Sequence, residues 1–396
     1  MNKSSHTAVI VNGARTPVGK FKGLLRNFSS IELGALAIRG AINKSKIKPS
    51  EVDYVIMGQV LTAGTCQIPA RQAALAAGIN WNIPALTVSK VCLSGINAII
   101  LASQLIKSGE FEVIVAGGQE SMSQAPGLFY KNYKNFDKNS ENIVEHLSYD
   151  GLHDVFTNKS MGSITEQRNN SENFTKTEQD LFAKQSHLKA SIAWRNGVYN
   201  DEVVPILIQN DNSYPNLIIR DEGIRSSTTV DSLMKLKSAF YKNGTITAGS
   251  SSQISDGAAA VIVMNKAKAE RLKLKWLCEV GAHSVVAGPD STLQDQPANA
   301  IKKALSKEGI TIDKLNIIEI NEAFAAATLT SIKKLNINIA KININGGGIA
   351  IGHPIGASGA RIILHAALEL SRLGSGYAIA ALCGGSGQGD ALILRC

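Results

Sequence analysis

"IKPSEVDYVIMG" (residues 47–58) comes back far downstream as "ITIDKLNIIEIN" (residues 310–321). The segments after the two copies are also alike. From Gly58 to Ser94 is 36 positions and from Asn321 to Ser358 is 37; each serine begins a Ser-Gly pair that opens an apolar helix. Further on, "VIVAGG" (113–118) parallels "IAALCGG" (379–385). Three signals in one order at similar spacing read as two copies of one βα unit, against the competing explanation of chance likeness between generic α/β segments.

The rest of the pattern agrees. "TAVIVNGA" (7–14), "VDYVIMG" (52–58), "PALTVS" (84–89) and "FEVIVAGG" (111–118) read as strands. "SSIELGALAIRGAINKS" (29–45) and "INAIILASQLIKSG" (96–109) read as helices, with Gly109 as a stop. Strands alternating with helices predict parallel sheets. The helices after the two Ser-Gly pairs, "INAIILA" (96–102) and "ARIILHAAL" (360–368), lack a wide polar face. Such helices belong between layers, which would bring the two turns together. Between the copies, residues 124–250 are rich in Asn, Lys and Ser, as in "YKNYKNFDKNSEN" (130–142), and hold a helix within "TKTEQDLFAKQSHLKASIAWRNG" (175–197). They read as an inserted lobe of the kind that binds ligands. The expected organisation is a first half at 1–123, completed by about 251–273, the lobe at 124–250, and a second half at 274–396.

Bulk properties narrow the function. With 396 residues the chain exceeds one ordinary core, and 44% hydrophobic residues with 35 glycines fit a compact α/β protein. Cys66, Cys92, Cys278, Cys383 and Cys396 are odd in number and show no CxxC spacing, so neither a disulfide framework nor a zinc site is expected. The N-terminus enters a strand-like run at once, without a signal-peptide core, and unbroken apolar runs fall short of a membrane span. A cytoplasmic protein with no membrane partner is expected. The net charge of +9 is dispersed, with no basic stripe and no interleaved aromatics, so nucleic acid is not expected; a polyanionic small substrate would still be attracted.

Four places could carry chemistry. "SKVCLSGINAII" (89–100) puts Cys92 just before a helix, where the dipole and free N–H groups favour a thiolate nucleophile. An ordinary buried cysteine is the alternative. "NGGGIAIGHPIGASGAR" (345–361) holds His353 in a glycine-rich loop, suited to general-base or hydrogen-bond work, or else is a turn histidine satisfied by backbone. It is not a phosphate loop, since no Lys-Ser/Thr comes after it. In "LCGGSGQGD" (382–390), Cys383 ends a strand-like run before glycines whose N–H groups could face an anion. In "EINEAFAAA" (319–327), Asn321 stands at a strand end, as a site residue or as a helix N-cap.

Taken together, "VCLSG" (91–95), "GGQESMS" (117–123), "NEAFA" (321–325), "GGGIAIGHPIGASGAR" (346–361) and "CGGSGQG" (383–389) resemble the signature blocks of the thiolase family, in order and over essentially the whole chain. The resemblance implies a five-layered αβαβα fold with two pseudo-twofold-related halves and an inserted lobe. It implies an acyltransferase of the acetyl-CoA C-acetyltransferase or 3-ketoacyl-CoA thiolase type. Acetyl-CoA, acetoacetyl-CoA and CoA would be its partners, with no metal, no resident cofactor and a homo-oligomer, a tetramer, as the assembly. Cys92 matches the acylated nucleophile, His353 its activator, and Cys383 the acid/base for the second acetyl group. Asn321 matches the group that orients a water in one oxyanion hole, completed by His353. The N–H groups of Cys92 and Gly385 match the other. Arg225, Ser232, Ala248, Ser252, Met161 and Phe324 match coenzyme A and acyl contacts. One departure stands out: many biosynthetic members carry a histidine where this chain has Ser160, before Met161. The chemistry such a site needs is a cysteine thiol poised near neutrality.

Overall fold

A computed structural model describes residues 7–129, 143–208 and 216–396; the stretch 130–142 lies outside them. Nine principal strands run in chain order: β1 (Ala8–Arg15), β2 (Tyr54–Gly58), β3 (Ala85–Val88), β4 (Val113–Ser121), β5 (Ser255–Asn265), β6 (Cys278–Ala287), β7 (Leu315–Ile320), β8 (Tyr377–Gly384) and β9 (Gln388–Arg395). The principal helices are α1 (Ser30–Ser45), α2 (Pro69–Ala76), α3 (Ser94–Ser108), α4 (Met161–Glu172), α5 (Lys176–Arg195), α6 (Gln296–Glu308), α7 (Ala325–Leu335) and α8 (Ser358–Leu373).

Local chemistry sets the helix ends. Ser29 and Glu32 form a reciprocal capping box at the start of α1, and α3 ends at Gly109, whose φ of 81° is a left-handed stop.

The strand order is β7-β8-β9-β6-β1-β5-β4-β2-β3, and it displays the duplication. In the first half β1 pairs β5 and β5 pairs β4, both antiparallel, while β4 pairs β2 in parallel. In the second, β6 pairs β9 and β9 pairs β8, both antiparallel, while β8 pairs β7 in parallel. Even the fifth position is echoed: β3 lies parallel to β2, and a parallel bridge joins Ile318 of β7 to Ile342. Within the sheet the halves are joined by the pairs Val9–Glu279 and Ile10–Cys278.

The expectation of parallel sheets therefore needs correction. Each half is mixed. The long β5 returns from the lobe, and β8 and β9 form a tight hairpin, so these strands run against their neighbours.

Side-chain packing gives the layers. α1 and α2 cover one face of the first half, with Leu33, Ile38, Ala70 and Ala73 buried against Val55 and Ile262. α6 and α7 cover the outer face of the second, with Ile301 and Leu335 against Ile318 and Ile379. Between the two halves of the sheet lie α3 and α8, whose Ile96, Ile99, Ile362 and Ile363 share one cluster with strand residues of both halves. Each such side chain removed from water contributes roughly 1.5–3 kcal/mol before entropy. By length and composition Val91–Ser108 could cross a membrane; the all-round apolarity instead serves a helix packed between the two halves of the sheet.

The two central helices touch at the paired Ser-Gly turns. A Cβ on Gly359 would sit 2.3 Å from the Ile96 nitrogen, and one on Gly95 would sit 2.8 Å from the Ala360 nitrogen. Backbone meets backbone there, so neither side can yield. Gly359→Ala is expected to destabilise the fold by roughly 1–3 kcal/mol, read from the urea midpoint. An unchanged midpoint would mean that the crossing is looser than drawn.

Candidate active site

The turn between β3 and α3 presents Cys92. Val91 adopts φ 49°, a left-handed conformation costly for a β-branched residue. Ser94 holds the turn: its hydroxyl donates to Val91 O at 2.6 Å and accepts from Lys90 N at 2.8 Å. Lys90 in turn pairs with buried Asp390 on β9 at 2.7 Å, and Asn97 Nδ2 donates to the same carboxylate. The Cys92 turn is thereby tied to the β8–β9 hairpin that carries Cys383. Gly384 permits the approach, since a Cβ there would lie 2.5 Å from Leu93 Cγ. These holding roles of Ser94, Lys90 and Asp390 were not legible in the sequence motifs.

Cys92 remains partly accessible. Its thiol receives the backbone N–H of Cys92 itself and of Gly385, and it feels Cys383. Burial outweighs the N–H groups and pushes the thiol well above its ordinary range. Cys383, buried at the end of β8 among Met161, Ala323 and Phe324, is pushed up to about 12 by burial. The expectations of a readily ionised Cys92 and of a thiol near neutrality are thus overturned: desolvation exceeds the helix-end field, and both thiols rest protonated.

His353 lies buried in its loop. The Ser358 hydroxyl donates to Pro354 O at 3.0 Å, so its oxygen accepts from His353 Nδ1 at 2.6 Å. That assigns the proton to Nδ1 and leaves a lone pair on Nε2. Asn321 Nδ2 sits 3.3 Å from Nε2. Asn321 caps no helix: α7 starts at Ala325 with Phe324 as its cap, while the Asn321 backbone N–H bonds Ala381 O on β8. Its Oδ1 is buried without a partner among the described residues. Burial first, and then the charge of Arg361, pull the imidazole down to about 3. A neutral base is therefore present from about pH 4 upward.

The low value acts on both stability and rate as pH changes. The folded pKa lies below the unfolded one, so the unfolded chain takes up the proton first, and this group's contribution to stability falls as pH drops from about 6.5 toward 3. The pH profile of kcat/KM is expected to show no acid limb near 6.5. A limb there that vanished in a His353 variant would overturn the burial argument.

A cleft of about 210 Å³ opens on His353, lined by Met122, Leu152, Ser160, Met161, Phe240, Ser252, Phe324 and Ile355 among others. Of the expected coenzyme A and acyl contacts it thus gathers Met161, Ser252 and Phe324. Arg225, Ser232 and Ala248 are exposed on the lobe and are not among the cleft's lining residues. Ser160 caps α4, accepting from Ser163 N at 3.2 Å and donating to Ser163 Oγ at 2.9 Å, so its hydroxyl is already engaged. Beyond Met161 lies a second depression of about 210 Å³, which reaches Val91, Gly385 and Ser386.

Comparison with known proteins places the chain in a family. A family model described as Thiolase, N-terminal domain matches residues 8–267, and one described as Thiolase, C-terminal domain matches residues 274–396. A protein of Mycolicibacterium smegmatis named "Probable acetyl-CoA acetyltransferase" is 65% identical over 98% of this chain and 100% of its own. The "Acetyl-CoA acetyltransferase" of Cupriavidus necator is 43% identical over 98% of each. The crystal structure of the Bacillus anthracis acetyl-CoA acetyltransferase superposes with a TM-score of 0.95 at 35% identity, over the whole of both chains. Matched by both thiolase family models over nearly its whole length and by relatives of that activity along almost all of it, this chain belongs to the thiolase family of acyltransferases.

Proposed function

We propose that the protein condenses two acetyl-CoA into acetoacetyl-CoA and CoA, reversibly, through an acetyl group on Cys92. The observation that carries this reading is the pairing of two thiols across the halves, Cys92 in the field of Cys383 with its own and the Gly385 N–H groups turned to it, in a chain whose His353 engages Ser358 through Nδ1 and so keeps Nε2 unprotonated.

In the first step Cys92 Sγ bonds to the thioester carbonyl carbon as its proton passes to His353 Nε2. The N–H groups of Cys92 and Gly385 receive the developing oxyanion. The carbonyl–sulfur bond of the substrate breaks, and CoA departs as its thiol with the proton from His353. In the second step Cys383 gives its proton to His353 and takes one from the α-carbon of the next acetyl-CoA. The raised affinity of Cys383 for a proton suits abstraction from so weak a carbon acid. The enolate oxygen faces protonated His353 and Asn321 Nδ2. The enolate carbon then bonds to the acetyl carbon, and Cys92 leaves, reprotonated by His353. Atoms and protons balance over the cycle.

The test is intact mass and peptide mapping after brief exposure to acetyl-CoA. One acetyl group on the peptide holding Cys92 is expected. Coenzyme A binding without an adduct would overturn the reading.

A second reading, thiolysis of longer 3-ketoacyl-CoA in β-oxidation, is favoured by one feature. The cleft wall at Ser160 offers no free polar group and continues into Met122, Leu152, Ile254 and Ile355. Thiolysis rates for four-carbon against eight-carbon 3-ketoacyl-CoA separate the two. The condensing role predicts at least a tenfold preference, about 1.4 kcal/mol, for the shorter. The oligomer proposed with this function is a homotetramer; light scattering tests it, and a monomeric or dimeric mass would overturn it.

A further inference from the structure

The loop that carries His353 has no regular structure from Gly352 to Ala357, yet its histidine must be held to a fraction of an ångström. Two buried carboxylates grip its ends. At the first, Glu322 accepts Ile349 N at 3.1 Å and the Ser186 hydroxyl at 2.6 Å, and that hydroxyl accepts Gly347 N at 3.1 Å. At the second, Glu120 of β4 accepts Gly356 N at 2.9 Å. The same Glu120 oxygen accepts Val60 N at 3.0 Å, and the other accepts Leu61 N at 3.1 Å. The loop glycines are fitted to the carboxylates: a Cβ on Gly347 would lie 2.3 Å from Glu322 Cδ, and one on Gly356 would lie 2.7 Å from Glu120 Oε2.

The two grips differ in what they join. Glu322 belongs to the same half as the loop. Glu120 belongs to the other half, the one that carries Cys92. Val60 and Leu61, which it also holds, follow β2 directly after Gln59, whose N bonds Val88 O at the end of β3, four residues before Cys92. Glu120 thus fixes the His353 loop to the framework of the Cys92 turn. Its side chain is fully enclosed, and burial pushes its carboxyl up to about 7, so what it offers the loop is acceptor oxygens rather than a fixed charge.

We infer that Glu120 is a positioning residue for catalysis: by binding Val60, Leu61 and Gly356 at once it sets the register of His353 against Cys92 across the two halves. This rests on His353 serving Cys92, as proposed above. Displacement of reacting groups by about 1 Å can cost about 100-fold in rate.

The experiment compares Glu120→Ala and Glu120→Gln with wild type. Turnover is normalised to the Cys92 thiols that react with iodoacetamide in native protein. Glu120→Ala is expected to lose about 100-fold in kcat per reactive site, with KM for acetyl-CoA within about threefold. Glu120→Gln, whose amide oxygen can keep Val60 and Gly356, is expected to recover to within about tenfold of wild type. Turnover per site within about threefold of wild type in Glu120→Ala would overturn the inference, because a purely structural role lowers the number of competent sites instead. Equal losses in Ala and Gln would overturn it too, since the charge and not the grip would then matter. If Glu120→Ala does not fold, Glu120→Asp, too short to reach all three N–H groups, must show the same loss in kcat alone. Absence of acetyl-Cys92 in the wild-type protein would count against the proposed function rather than against Glu120.

Discussion

Cys92→Ser is expected to lower turnover by about 10⁴-fold and to abolish the acetyl adduct, with the fold and coenzyme A binding retained. The physical reason lies in the resting state of the thiol. Burial keeps Cys92 protonated, so its reactivity depends on transfer of that proton to His353 during attack. A serine hydroxyl is far less acidic and a far weaker nucleophile toward a thioester. The same imidazole, already pulled down to about 3 by burial and by Arg361, cannot activate it. The measurement is steady-state turnover together with peptide mapping after acetyl-CoA. Turnover within tenfold of wild type would remove Cys92 from the nucleophile's role.

Cys383→Ser is expected to separate the two halves of the reaction. Acetylation of Cys92 should proceed within about tenfold of the wild-type rate, while condensation falls by about 10²–10⁴-fold. Cys383 holds its proton at about 12 because it is enclosed among Met161, Phe324 and Ala323. That makes its thiolate a strong base once formed, whereas a serine in the same enclosure would not ionise. Rapid-quench mass spectrometry for the adduct and a coupled assay for acetoacetyl-CoA measure the two steps independently. Equal loss of both steps would mean that Cys383 supports the site rather than moving the α-proton.

The fold and the site were legible in the chain to different depths. The duplicated strand–turn–helix pattern around Ser94 and Ser358 predicted the halves and the meeting of the turns, and Gly95 and Gly359 abut there. The helix over 175–197 is found as Lys176–Arg195, and the stop at Gly109 holds. Asn321 had two readings, and the structure chose between them by starting α7 at Ala325. The block "GGQESMS" was visible as a signature, but nothing in it announced that Glu120 reaches Gly356, 236 positions away.

By itself the sequence determined the repeat, the order of the signature blocks and the candidate residues for the chemistry. Those features are local: a left-handed helix stop, a helix opening and a glycine-lined loop each arise from a few neighbouring residues. Only the tertiary structure decided which strands run antiparallel, on which ring nitrogen His353 carries its proton, that both thiols rest protonated, and that Glu120 and Glu322 grip the histidine loop. Each of these depends on partners brought from distant parts of the chain, or on the exclusion of water. Desolvation in particular belongs to the folded assembly and to no stretch of sequence, and at Cys92 it reversed the sign of the effect that the helix end alone would have produced.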